Sequence, residues 1–243
     1  MEPGVVYFPR SMKKKNVRLA GIVILLFVTG IASVVGFWKP GILLGTPNDG
    51  HQLGGDLFDD IPGNTIESFS KAIENLEQSD TYLYSEFDVR ETSDGELVVF
   101  HDWDVSAIPD TPQNRDVLGG KPGSQAICDL TLNQIQSLEL KGGYRIPALD
   151  EILTAAKELN LTKPLLVEIK YLKTDQARQK LFESVKQCRD ESGLEIHFLA
   201  FVRNIKRSYP EPQAWLQKFS ESGFRVYQVF RNKEKKNDLC RTW

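Results

Sequence analysis

The chain has 243 residues, 41% of them hydrophobic and 26% charged, with a formal net charge of −3. This composition fits a globular protein with a sizeable core, and it lacks the global basic field that nucleic-acid binders carry. The three cysteines, Cys128, Cys188 and Cys240, lie far apart and form no CxxC pair, so a thiolate zinc site or a disulfide framework has little support.

The N-terminal part differs from the rest. Residues 1–18 include Lys13, Lys14, Lys15 and Arg18, and residues 19–38 form a charge-free apolar run of 20 residues. As a helix that run would reach about 30 Å, the thickness of a bilayer's hydrocarbon. Trp38 and Lys39 close it with an interfacial aromatic and a cation. The expected organisation is a cytoplasmic basic N-terminus over 1–18, a transmembrane helix over 19–38 and a linker over 39–48. The positive flank would then leave the remaining chain on the non-cytoplasmic side. The alternative is a cleaved signal peptide and a secreted protein. The apolar run is longer than the usual stretch of about 7–15 residues, and only Ile31-Ala32-Ser33 approaches a cleavage motif.

From 49 to 231 strand and helix signals alternate, the pattern of an α/β domain; residues 232–243 read as a basic tail. Asn64 and Glu67 have capping-box spacing at the head of a helix with Ile66, Phe69, Ile73 and Leu76 on one face. Strands are expected over 82–89 and 97–101. Between them Ser93-Asp94-Gly95 has the signature of a hairpin turn, whereas a barrel of parallel strands needs a crossover there. Thr131 and Gln134 form a second capping box before Ile135 and Leu138. Pro147 opens a helix whose apolar face is Leu149, Ile152, Leu153, Ala156 and Leu159. The apolar run over 164–169 reads as a buried parallel strand, followed by a charged helix over 175–189. Strands over 195–202 and 224–230 flank a helix over 211–222.

Three strands end in ionisable residues. Glu86 and Asp88 are two apart, so both point to one face. An isolated Glu-x-Asp pair usually lies on a solvated face, but here Val98-Val99-Phe100 leads into His101, and Val167 leads into Glu168 and Lys170. Burying such groups without partners is costly. Ionisable residues at several strand ends suggest a site at the C-terminal face of an α/β sheet or barrel. A divalent cation on Glu86, Asp88 and Glu168 would polarise a phosphoryl oxygen. Lys170 would stabilise an anionic transition state, and His51 and His101 could exchange protons near neutral pH. No G-x-S-x-G, HExxH, P-loop or dinucleotide glycine motif is present.

Six segments in order resemble the motifs of glycerophosphodiester phosphodiesterases: Gly50-His51, 62–69 around Asn64-Thr65, Glu86-Phe87-Asp88-Val89, 92–102, 146–151 and Glu168-Ile169-Lys170. The resemblance implies an α/β fold of the TIM-type (β/α) barrel kind found in phospholipase-C-like phosphodiesterases. It implies hydrolysis of a glycerophosphodiester, or of a lysophospholipid headgroup, to glycerol phosphate or lysophosphatidate and an alcohol. His51, His101 and Lys170 would be catalytic. Gln52, Asn64 and Lys170 would bind substrate, and Glu86, Asp88 and Glu168 would hold one Mg²⁺ or Ca²⁺. In such enzymes a glycerol hydroxyl can attack the phosphorus while a histidine removes its proton. The family has no regular helix between its second and third strands, which would reconcile the turn signal with a barrel. Residues 103–125 would be a variable insertion over the site.

The sequence also departs from the family pattern. Gln52 stands where arginine usually follows the first histidine, removing a fixed positive charge. Gly63 stands where glutamate is usual. Six strand candidates are countable, and the family's later tryptophan-bearing strand is not recognisable, which leaves open an incomplete barrel or diverged last strands. A membrane-tethered binding protein that has lost catalysis is the alternative reading.

Overall fold

The computed structural model describes residues 5–7, 48–120 and 123–230. The expected transmembrane helix over 19–38, its basic flank, most of the 39–48 linker and the 232–243 tail lie outside them. No helix among the described residues is long and apolar enough to cross a membrane.

Six strands, β1 (Val5–Tyr7), β2 (Ser85–Glu91), β3 (Leu97–Val99), β4 (Leu165–Tyr171), β5 (Ile196–Phe201) and β6 (Val226–Phe230), form one sheet in the order β1-β6-β5-β4-β2-β3. Every neighbouring pair is parallel except β2 and β3, where Val89, Arg90 and Glu91 face Val99, Val98 and Leu97 in an antiparallel ladder. The hairpin signal was therefore the correct reading, and a parallel crossover was not. Gly95 sits at φ +78° in the turn, where a side chain would be strained. Glu96 closes the loop by accepting the Thr92 amide at 2.9 Å. Among the described residues no ladder joins β3 to β1, so the sheet has two edges where a closed barrel would have none.

The helices are α1 (Ile66–Leu76), α2 (Pro112–Val117), α3 (Leu132–Gln136), α4 (Leu149–Glu158), α5 (Asp175–Ser192), α6 (Val202–Ser208) and α7 (Pro212–Glu221). α1 is capped by Thr65 rather than Asn64, with Ser68 completing the box. Asn64 itself sits at φ +61°, and that left-handed turn frees its side chain from the helix. Thr131 and Gln134 cap α3 as expected. In α4 the Glu151 carboxylate accepts the Ala148 amide at 2.8 Å, one residue later than Pro147 suggested. α5 runs from a Thr174 cap to Gly193 at φ 72°. α6 occupies residues expected to end a strand or to form a connection.

One face of the sheet packs Phe87, Val89, Val167, Ile169, Phe198 and Ala200 against apolar residues of α1, α4, α5 and α7. Each large side chain fully buried there contributes about 1.5–3 kcal/mol of transfer free energy. A separate small core around Val98, Val105, Leu118, Ile127, Ile135 and Ile146 supports the segment that follows β3. On the opposite face Tyr84, Leu166, Leu199, Tyr227 and Val229 form a shorter apolar floor. The candidate site lies on that second face.

Candidate active site

All seven residues of β2 are buried. A strand buried on both faces is ordinarily apolar on both; here Phe87 and Val89 face the helices while Glu86 and Asp88 face away from them. Asp88 lies in register with Glu168 on β4. Like charges directly opposite are destabilising, and the Lys170 ammonium bridges them, 2.8 Å from Asp88 Oδ1 and 2.7 Å from Glu168 Oε1.

Glu86, Asp88 and Glu168 each bring an oxygen within 4.8 Å of the other two. Three carboxylates face one ammonium in this buried place, and with all three ionised the net charge would be minus two. Burial, then Asp88 and Glu168, holds the Glu86 carboxyl well above the usual carboxylate range. Burial also raises Glu168, with Lys170 opposing and Asp88 reinforcing. Lys170 is raised: its own burial works to lower it, but Asp88 and Glu168 outweigh that. Glu86 Oε1 is buried with no hydrogen-bond partner. Hard oxygen donors, three carboxylates against one ammonium and an orphaned buried oxygen fit a divalent cation such as Mg²⁺ or Ca²⁺.

The other expected residues surround this centre. The segment 48–50 runs beside the start of β2: Asn48 Nδ2 donates to Tyr84 O at 2.9 Å, and Gly50 O accepts the Glu86 amide at 2.8 Å. A Cβ on Gly50 would stand 1.9 Å from Tyr84 O, so only glycine permits this approach. The approach delivers His51, whose Nε2 lies 3.8 Å from Glu86 Oε2. His101 follows β3, where the Phe100 amide donates to Asp88 O at 2.9 Å. Its Nδ1 is 2.8 Å from Asp102 Oδ1, which turns Nε2 toward other work. Both histidines line one cleft of about 940 Å³ together with Glu86, Glu168 and Lys170.

Two expected substrate contacts are placed differently. Gln52 donates its backbone amide to Glu86 Oε2 at 3.1 Å, at φ 46°. Its side chain packs on Gly63, where an added Cβ would meet Gln52 Cβ and Oε1 at 3.0 Å. Asn64 is buried and spends both ends of its amide on Asp88. Neither side chain is among those lining the cleft; the Gln52 amide bonds Glu86 and the Asn64 side chain bonds Asp88.

Sequence reasoning missed Tyr84, Arg90, Trp103, Arg203 and Arg207, all of which line the cleft. The Tyr84 hydroxyl is pushed up to about 12, chiefly by burial and then by Glu86 and Glu168. The two-residue period that marks Glu86 and Asp88 also marks Tyr84 and Arg90. Nothing local marks Trp103, Arg203 or Arg207, which reach the cleft from loops and a short helix.

The fold and site define a class: an α/β protein with a cation-receptive acidic centre on one face of its parallel strands β2 and β4 and two histidines beside it. The chain belongs to the glycerophosphoryl diester phosphodiesterase family, whose model matches residues 57–194, more than half of its length. It is 38% identical over 84 residues to a glycerophosphodiester phosphodiesterase of Haemophilus influenzae, a stretch covering 35% of this chain but only 22% of that relative. A glycerophosphodiester phosphodiesterase of Agrobacterium tumefaciens is 22% identical with a TM-score of 0.49, over 72% of this chain and 63% of that one. One from Parabacteroides distasonis is also 22% identical with a TM-score of 0.49, over 74% and 71% of the two chains.

Proposed function

We propose that this chain is a divalent-cation-assisted phosphodiesterase. It cleaves glycerophosphodiesters, or the headgroups of lysophospholipids, to glycerol phosphate or lysophosphatidate and an alcohol. The observation that carries this reading is the convergence of Glu86, Asp88 and Glu168 within 4.8 Å of one another, in a cleft shared with His51 and His101. Family membership supports the same chemistry.

When bound on these carboxylates, Mg²⁺ or Ca²⁺ would polarise a phosphoryl oxygen. The chain's own groups do the rest. Lys170 places positive charge beside the acidic centre, where the phosphoryl group becomes more anionic. One histidine removes the proton of the attacking hydroxyl and the other protonates the leaving oxygen. With Nδ1 of His101 held by Asp102, its Nε2 is the atom that exchanges a proton, as in other carboxylate-oriented histidines. The apolar floor of Leu199 and Val229 gives an acyl chain or glycerol backbone a dry wall. The 19–38 segment would hold the site near a bilayer on the non-cytoplasmic side.

The test is turnover of a glycerophosphodiester panel with and without Mg²⁺, Ca²⁺ and chelator. Release of glycerol phosphate that chelation abolishes is expected, with His101→Ala slower by about 10²–10⁴-fold. No turnover by the wild type with either ion would reject the enzyme. One observation favours a second reading, a tethered binding protein with weakened catalysis: Gln52 brings no charge to the cleft and turns its side chain onto Gly63. Tight diester binding without product would select it.

A further inference from the structure

The cleft has a second charged wall that phosphodiester cleavage does not use. Arg203 and Arg207 stand one turn apart on α6, and both line the cleft that holds Glu168, Lys170 and His101. The Arg207 guanidinium carbon lies 5.3 Å from the centre of the Tyr171 ring and 5.6 Å from that of Trp103. Those two rings are 5.3 Å apart. Arg203 lies 5.8 Å from the Phe201 ring centre. Arg90 approaches Trp103 at 5.8 Å and donates to the His101 carbonyl from Nε at 3.2 Å and Nη2 at 2.6 Å. The aromatic pair therefore joins the arginine wall to the loop that carries His101.

Arg90 has Asp88, Asp102 and Glu168 to offset its charge, whereas Arg203 and Arg207, one turn apart, repel each other unless something neutralises them. Neither Arg203 nor Arg207 forms an ion pair with a carboxylate among the described residues. Stacking on rings fixes a guanidinium while leaving its N–H edge available, and that planar fork suits a phosphate or carboxylate. A quaternary ammonium headgroup needs uncovered aromatic faces, and here Trp103 and Tyr171 already receive arginine.

The geometry points to a second anion subsite, formed by Arg207 on the Trp103–Tyr171 pair and by Arg203 beside Phe201, that selects diesters whose alcohol carries its own negative charge. A phosphorylated polyol or a carboxylate-bearing alcohol meets that requirement, whether or not the glycerol is acylated. This subsite rests on the phosphodiesterase reading and names the substrate class of the same cleft.

The full chain with its activating ion is assayed on three diesters with anionic, neutral and cationic alcohols: glycerophosphoinositol 4-phosphate, glycerophosphoglycerol and glycerophosphocholine. The lysophosphatidyl forms make a parallel set, and a preference confined to one set tells soluble from acylated substrate. The expected kcat/KM order is anionic, neutral, cationic. In the double variant Arg203→Gln and Arg207→Gln the anionic-to-neutral ratio falls by about tenfold, through KM. High salt narrows the same ratio in the wild type. A choline diester turned over as well as the anionic one, or a ratio unchanged in the double variant, overturns the subsite. If no diester is turned over, the phosphodiesterase reading fails, and equilibrium dialysis decides the subsite separately. His101→Ala protein should retain glycerophosphoinositol 4-phosphate over glycerophosphocholine, and should lose that preference with both arginines replaced. Equal retention of the two would reject it.

Discussion

Asn64 grips Asp88 at both ends: its Nδ2 donates to Asp88 Oδ2 at 2.8 Å while its Oδ1 accepts the Asp88 amide at 3.2 Å. Both residues are buried, and the grip requires Asn64 to sit at φ +61°, a conformation asparagine tolerates better than most residues. Asn64→Ala would leave the carboxylate and an amide short of partners. A stability loss of about 1–3 kcal/mol is expected from urea unfolding, with weaker cation binding. Unchanged unfolding would mean that the grip contributes nothing.

Gly50 governs how closely the His51 segment approaches β2. A Cβ there would stand 1.9 Å from Tyr84 O and 2.8 Å from Tyr84 C, both backbone atoms with little room to yield. Gly50→Ala should displace His51 from Glu86 and cost about 1–3 kcal/mol. Its activity should fall far more than that of an exposed control such as Lys157→Ala. Calorimetry and turnover read the two effects, and equal activities would contradict the placement of His51.

The acidic centre is a cost to the fold. Because burial, Asp88 and Glu168 hold the Glu86 carboxyl above its ordinary range, the folded chain binds that proton more tightly than the unfolded chain. Stability is then full below the unfolded value of about 4.3 and declines as pH rises toward the folded value. In metal-free protein Glu86→Gln should be more stable than wild type near neutral pH, with the gap closing in acid. Its Ca²⁺ or Mg²⁺ affinity should be lower by roughly tenfold or more. Urea unfolding across pH and ion titration check both, and a destabilised variant with intact ion affinity would be the contrary result.

His197 makes the opposite contribution. It is buried, its Nδ1 accepts the Arg225 amide at 3.3 Å, and its Nε2 meets Glu195 Oε1 at 3.3 Å. Burial is the main cause that lowers its pKa, against the pull of Glu195. The unfolded chain takes up this proton near pH of about 6.5 and the folded chain does not, so stability is lost as pH falls through that value. His197→Gln should flatten the decline between about pH 7.5 and 5.5. A decline as steep in the variant would assign the acid sensitivity elsewhere.

The four charged residues of the centre were legible because strands repeat every two residues, so Glu86 with Asp88 and Glu168 with Lys170 had to share faces. The roles of Gln52 and Asn64 were not legible. Both sit at positive φ in a tight loop, and which end of such a residue meets a carboxylate depends on the fold around it. The Ser93-Asp94-Gly95 turn was legible, and the expectation of a parallel barrel outweighed it. Trp103, Arg203 and Arg207 carry no local pattern because the insertion and α6 meet only in the folded chain.

The sheet, open among the described residues, separates two duties. Every carboxylate and ammonium of the cation seat comes from β2 and β4, and both histidines follow β3 or the 48–50 segment. β6, the strand next to the β1 edge, lends the cleft only Val229 among the described residues. The seat is thus complete without circular closure of the strands. The β6 side of the cleft can be remodelled to suit a different molecule while the ion-holding machinery on β2 and β4 stays as it is.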